Sequence, residues 1–313
     1  MRPHRLLVPL VALTLFATAC GEGRPEAAPR ALPTGSERYV GERDGALVGF
    51  ELTGDVAGQV TELLPDKEGQ WYVPMDGRAG AVSVTRFTEG PSEDTTNAVG
   101  VIDAATGRMV EGLGKDGPAA GLLLAPDGRH RYELISPSSG VVTSIDRTDA
   151  TGGSRTTLVA EASESDTALS SAALSPDGRT LYVVKSPWEK PPTLHAVDTS
   201  SGRTTQIETR LAEDVYGVVV SPDGRTLALT VDGGREGDEY VKTRVALLPV
   251  AGGAPRWVDA PNASASAFTR AGDVLLVLDN RERKLTLALA DVRTGAVRPL
   301  RGGAGIGHAV SAD

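Results

Sequence analysis

The sequence predicts an all-β protein, a six-bladed β-propeller of four-stranded antiparallel blades, with seven blades as the alternative count. Three observations carry that reading. A strand–turn–strand string recurs at a period of about 48 residues, an Asp-x-x-x-Gly turn recurs between copies of it, and no segment shows a helical hydrophobic period. Composition agrees, since 37 Gly and 20 Pro in 313 residues, with 4% aromatics, suit many short strands joined by tight turns.

Residues 1–19 read as a signal peptide. Met1 to Arg5 is short and basic, and Leu6 to Phe16 is apolar apart from Thr14. An apolar run of that length suits export rather than membrane spanning. Ala17-Thr18-Ala19 then precedes Cys20, the only cysteine. The stretch resembles a lipobox, whose cysteine takes a diacylglycerol and becomes the mature N-terminus. Ala17 departs from the Leu usual at that place, and Ala17-x-Ala19 also suits ordinary signal peptidase, so plain secretion is the alternative. Lipidation accounts for an odd cysteine that otherwise requires a free thiol or an intermolecular bridge. The expected address is the extracytoplasmic side of the cell membrane, anchored in lipid through Cys20. Residues 20–36 form a Pro-, Gly- and Ala-rich tether without periodicity, and its sixteen residues from Gly21 extend to at most about 55 Å. Residues 37–313 are then the propeller.

The repeat is clearest in LAPDGRHRYEL from Leu124, LSPDGRTLYVV from Leu174 and VSPDGRTLALT from Val220. Weaker copies are VPMDGRAGAVSV from Val73 and FTRAGDVLLVL from Phe268, aligned on Gly77, Gly128, Gly178, Gly224 and Gly272. LLPDKEG from Leu63 breaks the spacing and reads as a linker. In each copy Pro presets φ, Asp can bond its own backbone and Gly accepts positive φ, so the string is a tight turn between two strands. The flanking runs, such as Leu181 to Val184, are apolar without alternation, as strands covered on both faces are. Second turns are expected at Asp103 to Gly107, Asp198 to Gly202 and Asp291 to Gly295, with a longer version from Asp146 to Gly152. Each joins a third strand to a fourth. The first strand of a unit opens on small residues (Ala119-Ala120-Gly121, Ser170-Ser171-Ala172, Ser264-Ala265-Ser266), which fits the crowding around a propeller axis.

The ends set the blade count. Ala309 to Asp313 matches the opening of a further repeat and stops before its glycine, whereas 37–64 supplies three strands without an innermost one. Together they make one blade, so the C-terminal strand is expected to pair with the N-terminal ones and close the ring.

The PDGR repeats resemble the TolB-like and YVTN-type propeller families, best over Leu174 to Ile207 and in outline over all of 37–313. The resemblance implies a bacterial envelope protein that binds proteins or small ligands. Its motif residues build turns, so it speaks to fold rather than to activity.

Signals for catalysis are weak. There is no G-x-S-x-G, H-E-x-x-H or Walker loop, and Gly112-x-Gly114-x-x-Gly117 lacks the helix that a dinucleotide site needs. His130, His195 and His308 occupy different repeat positions and are not expected to converge. A formal charge of −9 argues against a phosphate-binding surface and hence against nucleic acid. Loops between second and third strands are the elaborate ones: Phe87 to Asn97, Ser186 to Pro192 and Asp232 to Lys242. They share a face with the inter-blade linkers, and variable loops on a rigid scaffold commonly carry binding. Candidate partner-binding residues there are Trp188, Glu189, Lys190, Arg235, Asp238 and Tyr240. Asp66, Asp116, Asp166, Asp214 and Asn262 recur once per repeat in the linkers. They are either Asx caps of their own loops or an oxygen-only collar for Ca²⁺ or a basic ligand. The functional expectation is a non-catalytic envelope lipoprotein that binds a protein, peptide or glycan on its looped face. The alternative is a propeller enzyme of the lactonase or lyase class with a metal at the channel mouth.

Overall fold

The computed structural model describes residues 35–89, 95–113, 118–136, 141–150, 153–161, 167–187, 190–211, 213–232, 243–279 and 284–313. The chain folds as a six-bladed propeller, and every strand pair is antiparallel. The first blade takes β1 (Glu37–Arg43), β2 (Ala46–Thr53) and an outer strand split into β3 (Val56–Ala57) and β4 (Thr61–Leu64). The second is β5 (Gln70–Arg78), β6 (Ala81–Glu89), β7 (Thr95–Asp103) and β8 (Met109–Glu111). The third is β9 (Ala119–Leu124), β10 (His130–Ile135), β11 (Ser144–Asp149) and β12 (Arg155–Ala160). The fourth is β13 (Thr167–Leu174), β14 (Thr180–Pro187), β15 (Thr193–Asp198) and β16 (Thr204–Ile207). The fifth is β17 (Val215–Val220), β18 (Thr226–Val231), β19 (Arg244–Pro249) and β20 (Arg256–Trp257). The sixth is β21 (Ala263–Phe268), β22 (Val274–Asp279), β23 (Leu285–Ala290) and β24 (Val297–Pro299). The last strand, β25 (His308–Ser311), is the innermost strand of the first blade.

The ring closes as its ends predict. β25 pairs with β1 in the register Tyr39↔Ser311, Val40↔Val310, Gly41↔Ala309 and Glu42↔His308. Innermost strands touch in the order β25, β5, β9, β13, β17, β21 and back to β25. A second latch lies at the rim, where the Ala57 N–H donates to Arg301 O and the Arg301 N–H donates to Asp55 O, each at 2.9 Å. Closure removes the free edges that an open ring would expose.

The core lies between blades. Tyr39, Phe50 and Leu52 of the first blade pack with Leu275, Leu287 and Leu289 of the sixth, and Tyr182, Val184 and Leu194 of the fourth pack with Leu227, Leu229 and Ala246 of the fifth. Strands covered on both faces need no polar–apolar alternation, and β18 is accordingly buried at five consecutive positions, Leu227 to Val231.

The PDGR turns form as their residues dictate. Gly128, Gly178 and Gly224 adopt φ of +64°, +72° and +68°, and the Oδ1 atoms of Asp127, Asp177 and Asp223 accept the N–H of Arg129, Arg179 and Arg225. The Asp198 carboxylate accepts from the N–H and the hydroxyl of both Ser200 and Ser201, and these bonds hold its pKa down at about 2.

Two turn assignments need correction. Asp146 is buried within β11 and paired with Arg155, so it starts no turn; the turn that follows is closed by the Asp149 N–H on Ser154 O. Gly77 is likewise a strand residue of β5, and the hairpin to β6 turns at Ala79 and Gly80, with φ of +50° and +82°. A two-residue turn with positive φ at both positions matches the twist of a hairpin and does not need the longer PDG geometry. Gly77 serves another purpose, because a Cβ there would stand 2.0 Å from Ser311 O of the neighbouring blade.

Candidate functional site

Every innermost strand runs from the looped face, where the linkers arrive, to the face of the tight turns. β1 runs the opposite way, so the chain enters the propeller from Ser36 on the turn face. The C-terminus lies there too, with the Arg38 N–H donating to Asp313 Oδ2 at 2.9 Å.

The six innermost strands enclose a channel of about 570 Å³. Its wall includes Ala120, Ser170, Ser171, Ala172, Ala265 and Ser266, the small residues that the sequence places at strand starts. β5 and β17 add bulkier Val73, Met75 and Val219.

Innermost strands of neighbouring blades belong to separate sheets and share no ladder, and side chains satisfy some of their backbone groups. Ser171 Oγ accepts the Val218 N–H at 3.0 Å, joining the fourth blade to the fifth. Ser266 Oγ accepts the Ala309 N–H at 2.7 Å and donates to Ala309 O at 2.8 Å, joining the sixth to the first. Asp76 Oδ2 accepts the Leu124 N–H at 2.8 Å, joining the second to the third. Most of the channel's polar side chains are thereby held by the scaffold itself.

Two features stand apart. His308 lies in the wall with Nδ1 3.5 Å from Ser266 Oγ, and burial pushes its pKa down to about 4, so it is neutral. The pair resembles a nucleophile–base arrangement only by residue type. Both of Ser266's short hydrogen bonds go to the Ala309 backbone, and the hydroxyl is not aimed at the imidazole. Near the turn face, Asp76 and Arg78 of β5 line the channel together. Burial raises the Asp76 pKa, against the opposing pull of the Arg78 charge and the Leu124 and Gly77 N–H groups. The Arg78 guanidinium reaches past the third blade to Leu174 O of β13, with Nη2 donating at 3.1 Å. Reading Met75-Asp76-Gly77-Arg78 as a turn hid this pair. The signal was available, since this copy has Met between Pro and Asp, and Gly80 offers a rival turn glycine two residues after Arg78.

At the looped face, Tyr216 is the second residue of β17, lies on the channel wall and is 52% exposed, one of two large apolar or aromatic side chains so exposed among the described residues. Its hydroxyl donates to Asp232 Oδ2 at 2.6 Å, and that bond is the main cause of a pKa pushed up to about 12.

The sequence-predicted site residues fare unequally. Cys20, Trp188, Glu189, Arg235, Asp238 and Tyr240 lie outside the described residues, as do Asp116 and Asp166. Lys190 is exposed, and its N–H donates to Pro187 O. Asp66 and Asp214 are exposed and Asn262 is half-buried, and none of the three lines the channel. Asp214 and Asn262 instead cap strand ends through their carbonyls, accepting the N–H of Asp232 and Asp279. His130, His195 and His308 fall in three different blades: His130 pairs with Asp127 at its own turn, and His195 bonds Thr193 Oγ1. Among the described residues no three His, Cys, Asp or Glu side chains gather as a metal site would require.

No family model matches the chain, and no curated protein sequence does. Solved structures do match in shape. TolB from Acinetobacter baumannii has a TM-score of 0.64 at 16% identity, covering 89% of this chain and 67% of that one. The TolB structure from Agrobacterium tumefaciens has a TM-score of 0.56 at 16% identity, covering 84% of this chain and 87% of that one. An oligogalacturonate lyase in complex with manganese reaches 0.51 at 13% identity over 79% of this chain and 73% of that one. At such identities the likeness shows the β-propeller fold and does not carry over an activity.

Proposed function

We propose that this chain is a lipid-anchored, non-catalytic binding module of the cell envelope that takes a protein or peptide segment at its looped face and the channel below. The observation that carries the reading is the use made of polar groups in the channel. Ser171, Ser266 and Asp76 are engaged in holding neighbouring blades, and the remaining wall is largely apolar. A preformed, mostly apolar cavity with few polar atoms suits recognition, whereas catalysis needs converging groups free to act on a substrate. Chain entry on the turn face supports the orientation. A tether running from Cys20 to Ser36 would join the propeller on its turn face and leave the looped face free to meet a partner. Glycan and metal-dependent lyase chemistry are the competing uses of the same fold.

A photo-crosslinking residue placed at Tyr216 or at Ser200 in the living cell tests this. Ser200 is exposed on the turn face. Adducts of defined mass from position 216 and none from 200 are expected; adducts from 200 alone would reverse the face. Trp188→Ala and Tyr240→Ala should reduce the adducts at 216 without altering the melting temperature.

A further inference from the structure

We infer that Arg78 is an anchor for a carboxylate, presented by a peptide C-terminus or an acidic side chain that enters the channel from the looped face. The inference rests on the binding-module reading above and names the ligand chemistry for the same channel.

Position is the first argument. Arg78 ends β5 at the turn-face end of the channel, and its guanidinium extends past the third blade to Leu174 O of the fourth. It stands at the opposite end of the channel wall from Tyr216. Arg78 is 23% exposed in its side chain, so the charge sits largely out of bulk water yet on the cavity wall.

Donor counting is the second. A guanidinium has five N–H donors in a fixed fork. Nη2 bonds Leu174 O, but Nε is buried and has no hydrogen-bond partner. The neighbouring acid does not fill the gap, because Asp76 Oδ2 is 3.7 Å from Nε and already accepts the Leu124 N–H. Burial also favours the protonated form of Asp76, which weakens it as a counter-charge. Arg270, the other arginine on the wall, is paired with Asp313 at 3.1 Å. The fold therefore holds on the channel wall a partly exposed cation whose neighbouring acid is an incomplete partner. A carboxylate fits a guanidinium fork in a way that a neutral amide or an amine does not.

The test uses the purified full-length protein and two probes, N-acetyl-tetraalanine as the free acid and as its C-terminal amide. A third probe, N-acetyl-Ala-Ala-Glu-Ala-amide, carries the carboxylate on a side chain and separates the two sources. Binding is read from ligand NMR line broadening and from the Nε–H resonance of Arg78. At least one carboxylate probe should bind about tenfold or more tighter than the amide. Arg78→Gln should erase that preference, Arg78→Lys should keep part of it, and Asp76→Asn, which keeps a neutral group beside the arginine, should leave it intact. Equal binding of acid and amide overturns the inference, as does a preference that survives in Arg78→Gln. Failure of all probes to bind, with crosslinking at position 216 retained, overturns this inference alone. Failure of both experiments removes the binding-module reading as well. Asp76→Asn leaves Arg78 in place, so the outcome does not depend on whether the arginine variants fold.

Discussion

Replacing Gly77 by Ala probes the seam where the ring closes. Gly77 adopts no left-handed φ, so the substitution tests crowding alone. Its added Cβ would stand 2.0 Å from Ser311 O, 2.9 Å from Ser311 C and 3.1 Å from Val82 Cγ2. Ordinary contacts of this kind begin near 3.4 Å, so the backbone of the closing strand must retreat by more than about 1 Å. Overpacking with a backbone shift costs about 1–3 kcal/mol. The retreat also loosens the Gly80 N–H bond to Ala312 O, 2.6 Å long and worth about 1 kcal/mol. The sum, roughly 2–4 kcal/mol, lowers the melting temperature of a domain this size by on the order of 5–10 °C. Gly112→Ala is the control, because Gly112 is exposed and a Cβ there meets nothing within 4 Å. Calorimetry of both variants beside the parent decides the matter. A Gly77→Ala protein that melts within about 1 °C of Gly112→Ala would refute the close approach of β25 to β5.

Other outcomes follow from the same geometry. His308 titrates near 4 in the folded protein against about 6.5 unfolded, so the unfolded chain binds the proton first as pH falls. Stability should drop between about pH 6.5 and 4 by at most about 3 kcal/mol and then level off, and His308→Asn should flatten that limb in urea titrations; parallel curves for the two proteins would contradict it. Cys20→Ser should shift the protein from the membrane fraction to the medium or leave it uncleaved, and full membrane retention of a correctly cleaved variant would defeat the lipid anchor. Asp66 and Asp214 lie off the channel wall, so calcium is expected to leave the melting curve unmoved; a rise that scales with calcium concentration would support the acidic collar.

The fold was legible because its turns demand particular residues. Positive φ at Gly128, Gly178 and Gly224, and Asx bonding by the aspartate before each, leave few alternatives at those sites. Closure was legible because 309–313 repeats the start of a blade that 37–64 lacks. Asp146 and Asp76 misled for one reason: an Asp-to-Gly spacing is a turn signal by letters, but strand register decides whether the aspartate sits in the turn or on a covered face. The channel pair Asp76 and Arg78 was hidden by that same likeness. The roles of Ser171 and Ser266 were half legible, since crowding explains small residues, whereas hydrogen bonding across blades appears only once the strands are placed.

Amide hydrogen exchange on the full-length protein, free and in the complex crosslinked at position 216, tests the binding face most directly. The account predicts added protection at the looped-face ends of innermost strands, around Ala119 to Gly121, Ser170 to Ala172 and Val215 to Gly217, with the PDGR turns unchanged. Added protection confined to the turns at Asp127 to Arg129, Asp177 to Arg179 and Asp223 to Arg225 would contradict it.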